Sequence, residues 1–127
     1  MSMSFAATSS GGDLLANFAW GSNQPWSPVW SSSRLPLSEL PPDWTEQFHI
    51  WEYHWTASEL AITLDGQLLH SVQLDQTFNG TAACAGDNPF HQPHYLLLNL
   101  ALGSNGGPVD GLVFPTRYII DYVRLYP

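Results

Sequence analysis

Residues 48–74 constrain the fold more tightly than any other part of the chain. As an extended segment, FHIWEYHW at 48–55 puts His49, Trp51, Tyr53 and Trp55 on one face and Phe48, Ile50, Glu52 and His54 on the other. Two more strand-like stretches, 60–64 and 67–74, flank Asp65-Gly66, a dipeptide suited to the positive backbone angles of a tight hairpin. The spacing predicts three consecutive antiparallel strands here. Further strands are expected at 13–20 (DLLANFAW), at 94–102 (HYLLLNLAL) and at 117–126. The second of these is apolar on both faces and so reads as central, with Asn99 its one polar interruption.

Between these stretches lie a Trp/Pro/Ser-rich segment ending at Ser33, a proline-containing loop at 34–47 with a short helical turn near 43–47, and two glycine-rich loops at 79–93 and 103–111. Strands joined by long loops with no helical period imply an all-β protein, an antiparallel β-sandwich. At 127 residues the chain allows one domain. Residues 13–127 are assigned to it, and the small, polar residues 1–12 are expected to form a flexible leader.

Charge excludes some partners. Only 11% of residues are charged, against about 25% in ordinary soluble domains. Three arginines and no lysine face 11 acids, for a net charge of -8. Phosphate recognition needs clustered cations, so no nucleic-acid partner is expected, and anionic membrane surfaces are disfavoured in the same way. No apolar run approaches the roughly 20 residues of a membrane-spanning helix. Met1–Gly12 lacks the basic and apolar regions of a signal peptide. Few charges combined with 13% aromatic residues, among them six tryptophans, suit neutral polar ligands with flat apolar faces, and sugars fit that description.

The chemistry-bearing residues are sparse. Cys84 is the only cysteine, so it forms no intrachain disulfide, and its Gly/Ala/Asn-rich surroundings carry no sign of thiol activation. The acids are scattered, whereas glycoside hydrolysis needs two carboxyl groups flanking one bond. Glu52, mid-strand beside His54, is the first candidate acid and Asp13 the second. His49 and His54 fall on opposite strand faces and cannot share a metal, while His91 and His94 flank Gln92-Pro93 in a loop. Asn79-Gly80-Thr81 is a formal glycosylation sequon. Esterase, P-loop and dinucleotide fingerprints are missing from the sequence.

Taken in order, FHIWEYHW, LDGQLLHSVQL, NPFHQPHYLLLNLALG and FPTRYIIDYVRLYP resemble glycoside hydrolase family 16, which includes laminarinases and other endo-β-glucanases acting with retention on a concanavalin-like jelly roll. The resemblance runs over about 13–127. It implies a partial jelly roll matching the half of the family fold that follows the catalytic strand. The family's Glu-x-Asp-x-x-Glu segment should precede DLLANFAWGS, but MSMSFAATSS stands there without a carboxylate.

The resemblance implies cleft positions at Asn17, Trp20, Asn99, Gln92 and Asn105, and a calcium-site aspartate at Asp121, whose other expected ligands are not matched. Trp26 and Trp30 have no firm family counterpart but are candidate sugar-stacking rings. The expectation is a β-glucan-type polysaccharide-recognition domain. The rival readings are an active glycosidase with rebuilt or intersubunit carboxylates, and a folded fragment without native activity. Members of the family are mostly secreted. A half jelly roll leaves sheet faces uncovered, so a homo-oligomer is expected, with Phe18, Trp20, Trp51 and Trp55 as the contributing strand residues.

Overall fold

The computed structural model describes residues 2–6, 12–77, 88–100, 114–115 and 117–127. Its framework is the hairpin pair foreseen from residues 48–74. Strands β4 (His49–Trp55), β5 (Glu59–Leu64) and β6 (Gln67–Gln73) form an antiparallel meander, with Tyr53 opposite Ile62 and Leu60 opposite Val72. At the β5–β6 turn Asp65 has φ 50° and Gly66 φ 79°, the left-handed pair that such a turn requires. The Asp65 N–H donates to the Ile50 carbonyl at 2.8 Å, and its Oδ1 accepts the Ile50 N–H at 2.8 Å, tying the turn to β4.

Two further strands complete this sheet, in the order β6-β5-β4-β1-β7. Strand β1 (Ser2–Ala6) pairs antiparallel with both β4 and β7 (Ile119–Arg124). Residues 2–6 therefore differ from the flexible leader expected of them. Met1-Ser2-Met3-Ser4-Phe5 alternates apolar with polar, a period-two signal easily overlooked in so short a run.

A second, two-stranded sheet pairs β2 (Asp13–Trp20) with β3 (Val29–Pro36). The first strand matches the sequence expectation residue for residue. The second does not, because Trp30-Ser31-Ser32-Ser33-Arg34 has no apolar period and is held extended by its ladder to β2. In β2, Ala16 and Phe18 are buried and Leu14 and Trp20 half-buried, whereas Asp13, Leu15, Asn17 and Ala19 are exposed. The buried set faces the large sheet: Phe18 joins Leu60, Val72 and Leu74 in the core, with Trp20, Tyr53, Ile62 and Phe90 packed around them. The Phe18 ring stacks on His70 at 5.4 Å, and His70 Nε2 shares a 2.8 Å hydrogen bond with the Ser31 hydroxyl, so one β6 side chain grips both strands of the small sheet. The result is the antiparallel all-β two-layer arrangement that the pattern implied.

Asn88 anchors the segment that follows. Its side-chain N–H donates to the Leu74 carbonyl at 2.6 Å, and its Oδ1 accepts the Phe90 N–H at 2.9 Å, capping the turn Pro89–His91. Residues 94–100, the described part of the strand expected at 94–102, correct that expectation: no ladder forms there among the described residues, and Tyr95, Leu96, Leu97, Leu98 and Leu100 are exposed. Their apolarity argued for a central strand, but a strand exists only where a neighbour accepts its backbone hydrogen bonds. Cys84, Asn105, the sequon and both glycine-rich loops, apart from residues 88–93, lie outside the described residues.

Candidate functional site

Strand parity decides what the small sheet displays. Residues directly opposite share a face, so the outward side of β2–β3 carries Ala19 beside Trp30, Asn17 beside Ser32, Leu15 beside Arg34 and Asp13 beside Pro36. Trp30 is 62% exposed. Successive rows lie about 6.7 Å apart along the strands, and an indole, an amide–hydroxyl pair and an ion pair follow one another in line. The ion pair joins Arg34 Nη1 to Asp13 Oδ2 at 3.2 Å. Such a row offers a flat apolar surface followed by neutral hydrogen-bonding groups, the two features a pyranose ring presents in return.

The residues expected at the site separate into groups. Asn17 and Trp30 come together on this outward face, and the serines of β3 add Ser32. Trp20, three residues from Asn17, has the opposite parity and packs against the core. Trp26 is fully exposed in the turn between the two strands. Gln92 and Asn99 are exposed on the segment 88–100, outside the β2–β3 ladder. Ser32 was missed because its strand was read as a loop.

The two candidate acids point away from each other. Glu52 lies on the outer side of the large sheet, accepting the Thr63 hydroxyl at 2.9 Å, with His54 Nε2 4.0 Å away. Asp13 lies on the outer side of the small sheet. The core separates them, so one chain does not bring both to the same glycosidic bond. Asp121 is exposed on β7, and no group of three or more His, Cys, Asp or Glu gathers among the described residues. Ca2+ prefers six to eight oxygens, a set that Asp121 alone does not supply. His91 and His94 each donate through Nε2 at 3.0 Å to a backbone carbonyl, that of Ala57 and that of Pro89 respectively.

A hollow beside the large sheet was not anticipated. It has a volume of about 560 Å³ and lies against the large sheet, between Tyr53, Trp55 and Val123 on one side and Phe90, His94 and the exposed leucines on the other. Its lining is mainly apolar. Trp55 and Phe90 both meet the His94 ring, at 5.2 and 6.1 Å.

Comparison with known proteins supplies relatives. Over 82 residues the chain is 29% identical to the glucan endo-1,3-beta-glucosidase A1 of Niallia circulans, which covers 62% of this chain and 12% of that protein. It is 30% identical over 82 residues to the beta-glucanase of Rhodothermus marinus, covering 62% of this chain and 28% of that protein. The beta-1,3-glucan-binding protein of Penaeus monodon is 29% identical over 115 residues, covering 77% of this chain and 31% of that protein. The aligned part is less than a third of each of these relatives. No protein-family model matches the chain, and no solved structure matches it significantly. The chain is related to β-glucanases of the glycoside hydrolase family 16 type, in line with its motifs.

Proposed function

We propose that this chain, a glucan-related protein of family 16 type, recognises a β-glucan-type polysaccharide on the outward face of β2–β3. Trp30 stacks on a sugar ring, while Asn17 and Ser32 exchange hydrogen bonds with hydroxyls of the neighbouring ring. The observation that carries the reading is the exposed indole of Trp30 in line with Asn17, in a chain whose relatives are named for acting on or binding β-glucans. The surplus of acids over arginines favours a neutral ligand over an anionic one. Trp20 supports the face from beneath, and Gln92 and Asn99 are assigned to other parts of a long ligand, with Asn105 kept as a candidate from the sequence alone.

Hydrolysis is the second reading, supported by the relatives that are named as enzymes. Glu52 and Asp13 face opposite ways, so turnover would draw on carboxylates other than this pair. Self-association is part of the same proposal. Of the strand residues expected to mediate it, Phe18 is buried and Trp20 and Trp51 are half-buried. The assignment therefore moves to Trp55, the exposed residues 95–100, and Val123, Leu125 and Tyr126.

Binding measured on laminarin, mixed-linkage glucan and carboxymethyl-cellulose, with reducing-sugar release assayed alongside, tests the proposal. Binding without release is expected, with Trp30→Ala weakening it about tenfold, as loss of a stacked ring predicts. Robust turnover abolished by Glu52→Gln would favour the hydrolase. Failure to bind any of the three would remove the reading.

A further inference from the structure

The turn at residues 21–28, at the end of the proposed glucan-binding face, holds a bulky residue where the backbone resists one. Trp26 has φ 61°, the left-handed region that costs an ordinary L-residue roughly 1–2 kcal/mol, and its side chain is 99% exposed. Packing within the chain does not offset that cost. The conformation is held from below: the Ser22 hydroxyl accepts the Gln24 N–H at 3.1 Å and donates across the turn to the Ser27 carbonyl, while the Ser27 N–H donates to the Gln24 carbonyl at 3.2 Å. A strained, braced backbone that turns an indole fully into solvent has the character of a functional site and not of a folding element.

The same turn borders a shallow, open hollow of about 230 Å³, lined by Ala19, Trp20, Ser22, Gln24, Trp26 and Ser27 together with the Gly and Pro residues of the turn. This volume is below the roughly 300–1,000 Å³ of pockets that take drug-sized ligands, and it suits one ring and not several. No charged side chain lines it, so the occupant is neutral. Indole surface and serine and glutamine side chains together match a pyranose with an apolar face and hydroxyl edges. Ala19 also stands opposite Trp30, which makes the hollow continuous with the outward face.

We propose that residues 21–28 form a seat for a single pyranose ring of a neutral glycan, one position beyond Trp30, with Trp26 as its stacking ring and Ser22 as the residue that positions the turn. The inference rests on the assignment of the β2–β3 face to glycan binding, and it adds a specific consequence: affinity should step upward once an oligosaccharide is long enough to reach from Trp30 into the seat.

Calorimetric titration with β-1,3-glucan oligosaccharides of two to seven units tests this on the full chain. Trp26→Gly is the informative variant, because glycine accepts the positive φ without strain and the fold is retained while the ring is lost. The expected result is unchanged affinity for the shortest binding oligosaccharide and roughly tenfold weaker affinity for the longer ones, abolishing the step. Ser22→Ala should reduce the step part-way. Wild-type binding that Trp26→Gly leaves unaltered at every length, or weakens equally at every length, overturns the seat while leaving the Trp30 face intact. Absence of wild-type binding at all lengths overturns both.

Discussion

Replacing His49 with alanine is expected to cost about 2–4 kcal/mol of folding stability, although the residue lies far from the proposed ligand face. The His49 ring is buried and each nitrogen stands 2.7 Å from an acceptor, Nδ1 from Asp65 Oδ2 and Nε2 from the Trp44 carbonyl. Trp44 lies flat against the His49 ring, with ring centres 3.7 Å apart and planes 13° off parallel. One side chain thus fastens β4, the β5–β6 turn and the turn Trp44–Glu46.

Its removal leaves the Trp44 carbonyl buried without a donor, which costs about 1–3 kcal/mol, and forfeits an aromatic stack worth about 0.5–1.5 kcal/mol. The Asp65 oxygen adds little, because that side chain is nearly half exposed and rehydrates. Urea unfolding followed by circular dichroism measures the loss, with an unchanged slope certifying that the two end states are still compared. His49→Gln, which can restore one hydrogen bond, should lose less. A double-mutant cycle with Asp65→Ala should give a coupling of no more than about 0.5 kcal/mol. A loss below about 1 kcal/mol for His49→Ala at constant slope would refute the fastening role.

Three further outcomes are expected. Leu60 has no exposed surface and sits at the centre of the core, so Leu60→Ala should destabilise by about 2–5 kcal/mol in the same unfolding assay. Burial pushes the Tyr53 phenol up to about 12 from 10.0. The folded state therefore keeps this proton longer than the unfolded one, and stability present below pH 10 should be lost as pH rises through about 12. For a half-buried ring the loss is about 1 kcal/mol, not the ~2.7 kcal/mol of the full shift, and phenolate absorbance read with unfolding at each pH checks it. Light scattering should detect self-association at tens of micromolar that Leu97→Ser combined with Leu125→Ser abolishes. A wild-type monomer under those conditions would remove the oligomer from the proposal.

What was legible in the sequence follows from how local each signal is. Strand β2 and the β4–β6 meander were readable because their alternation and the Asp65-Gly66 turn are written within a few residues. The extended run Ser31-Ser32-Ser33 was not readable, since pairing with β2 and the Ser31–His70 bond hold it, and both depend on distant residues. Residues 94–100 misled in the opposite direction, because leucine content records a preference for burial but does not supply the partner strand.

At the site, composition pointed to a neutral, ring-stacking ligand, Trp30 was named as a stacking ring, and Asn17 came from the family resemblance. Their common face, and the separation of Trp20 from it, required the register. Glu52 and Asp13 illustrate the same limit, since two acids in one list of candidates lie on opposite outer surfaces of the folded chain.

The central claim is that a glucan chain lies along the outward face of β2–β3. Amide and indole NMR shifts recorded during titration with a β-1,3-glucan hexasaccharide test it most directly. The account predicts saturable shifts of the Trp30 indole N–H and the Asn17 side-chain amide, with the signals of Trp55 and of residues 95–97 unmoved. Shifts confined to Trp55 and residues 95–97, with Trp30 and Asn17 silent, would contradict it and transfer the glycan to the hollow beside the large sheet.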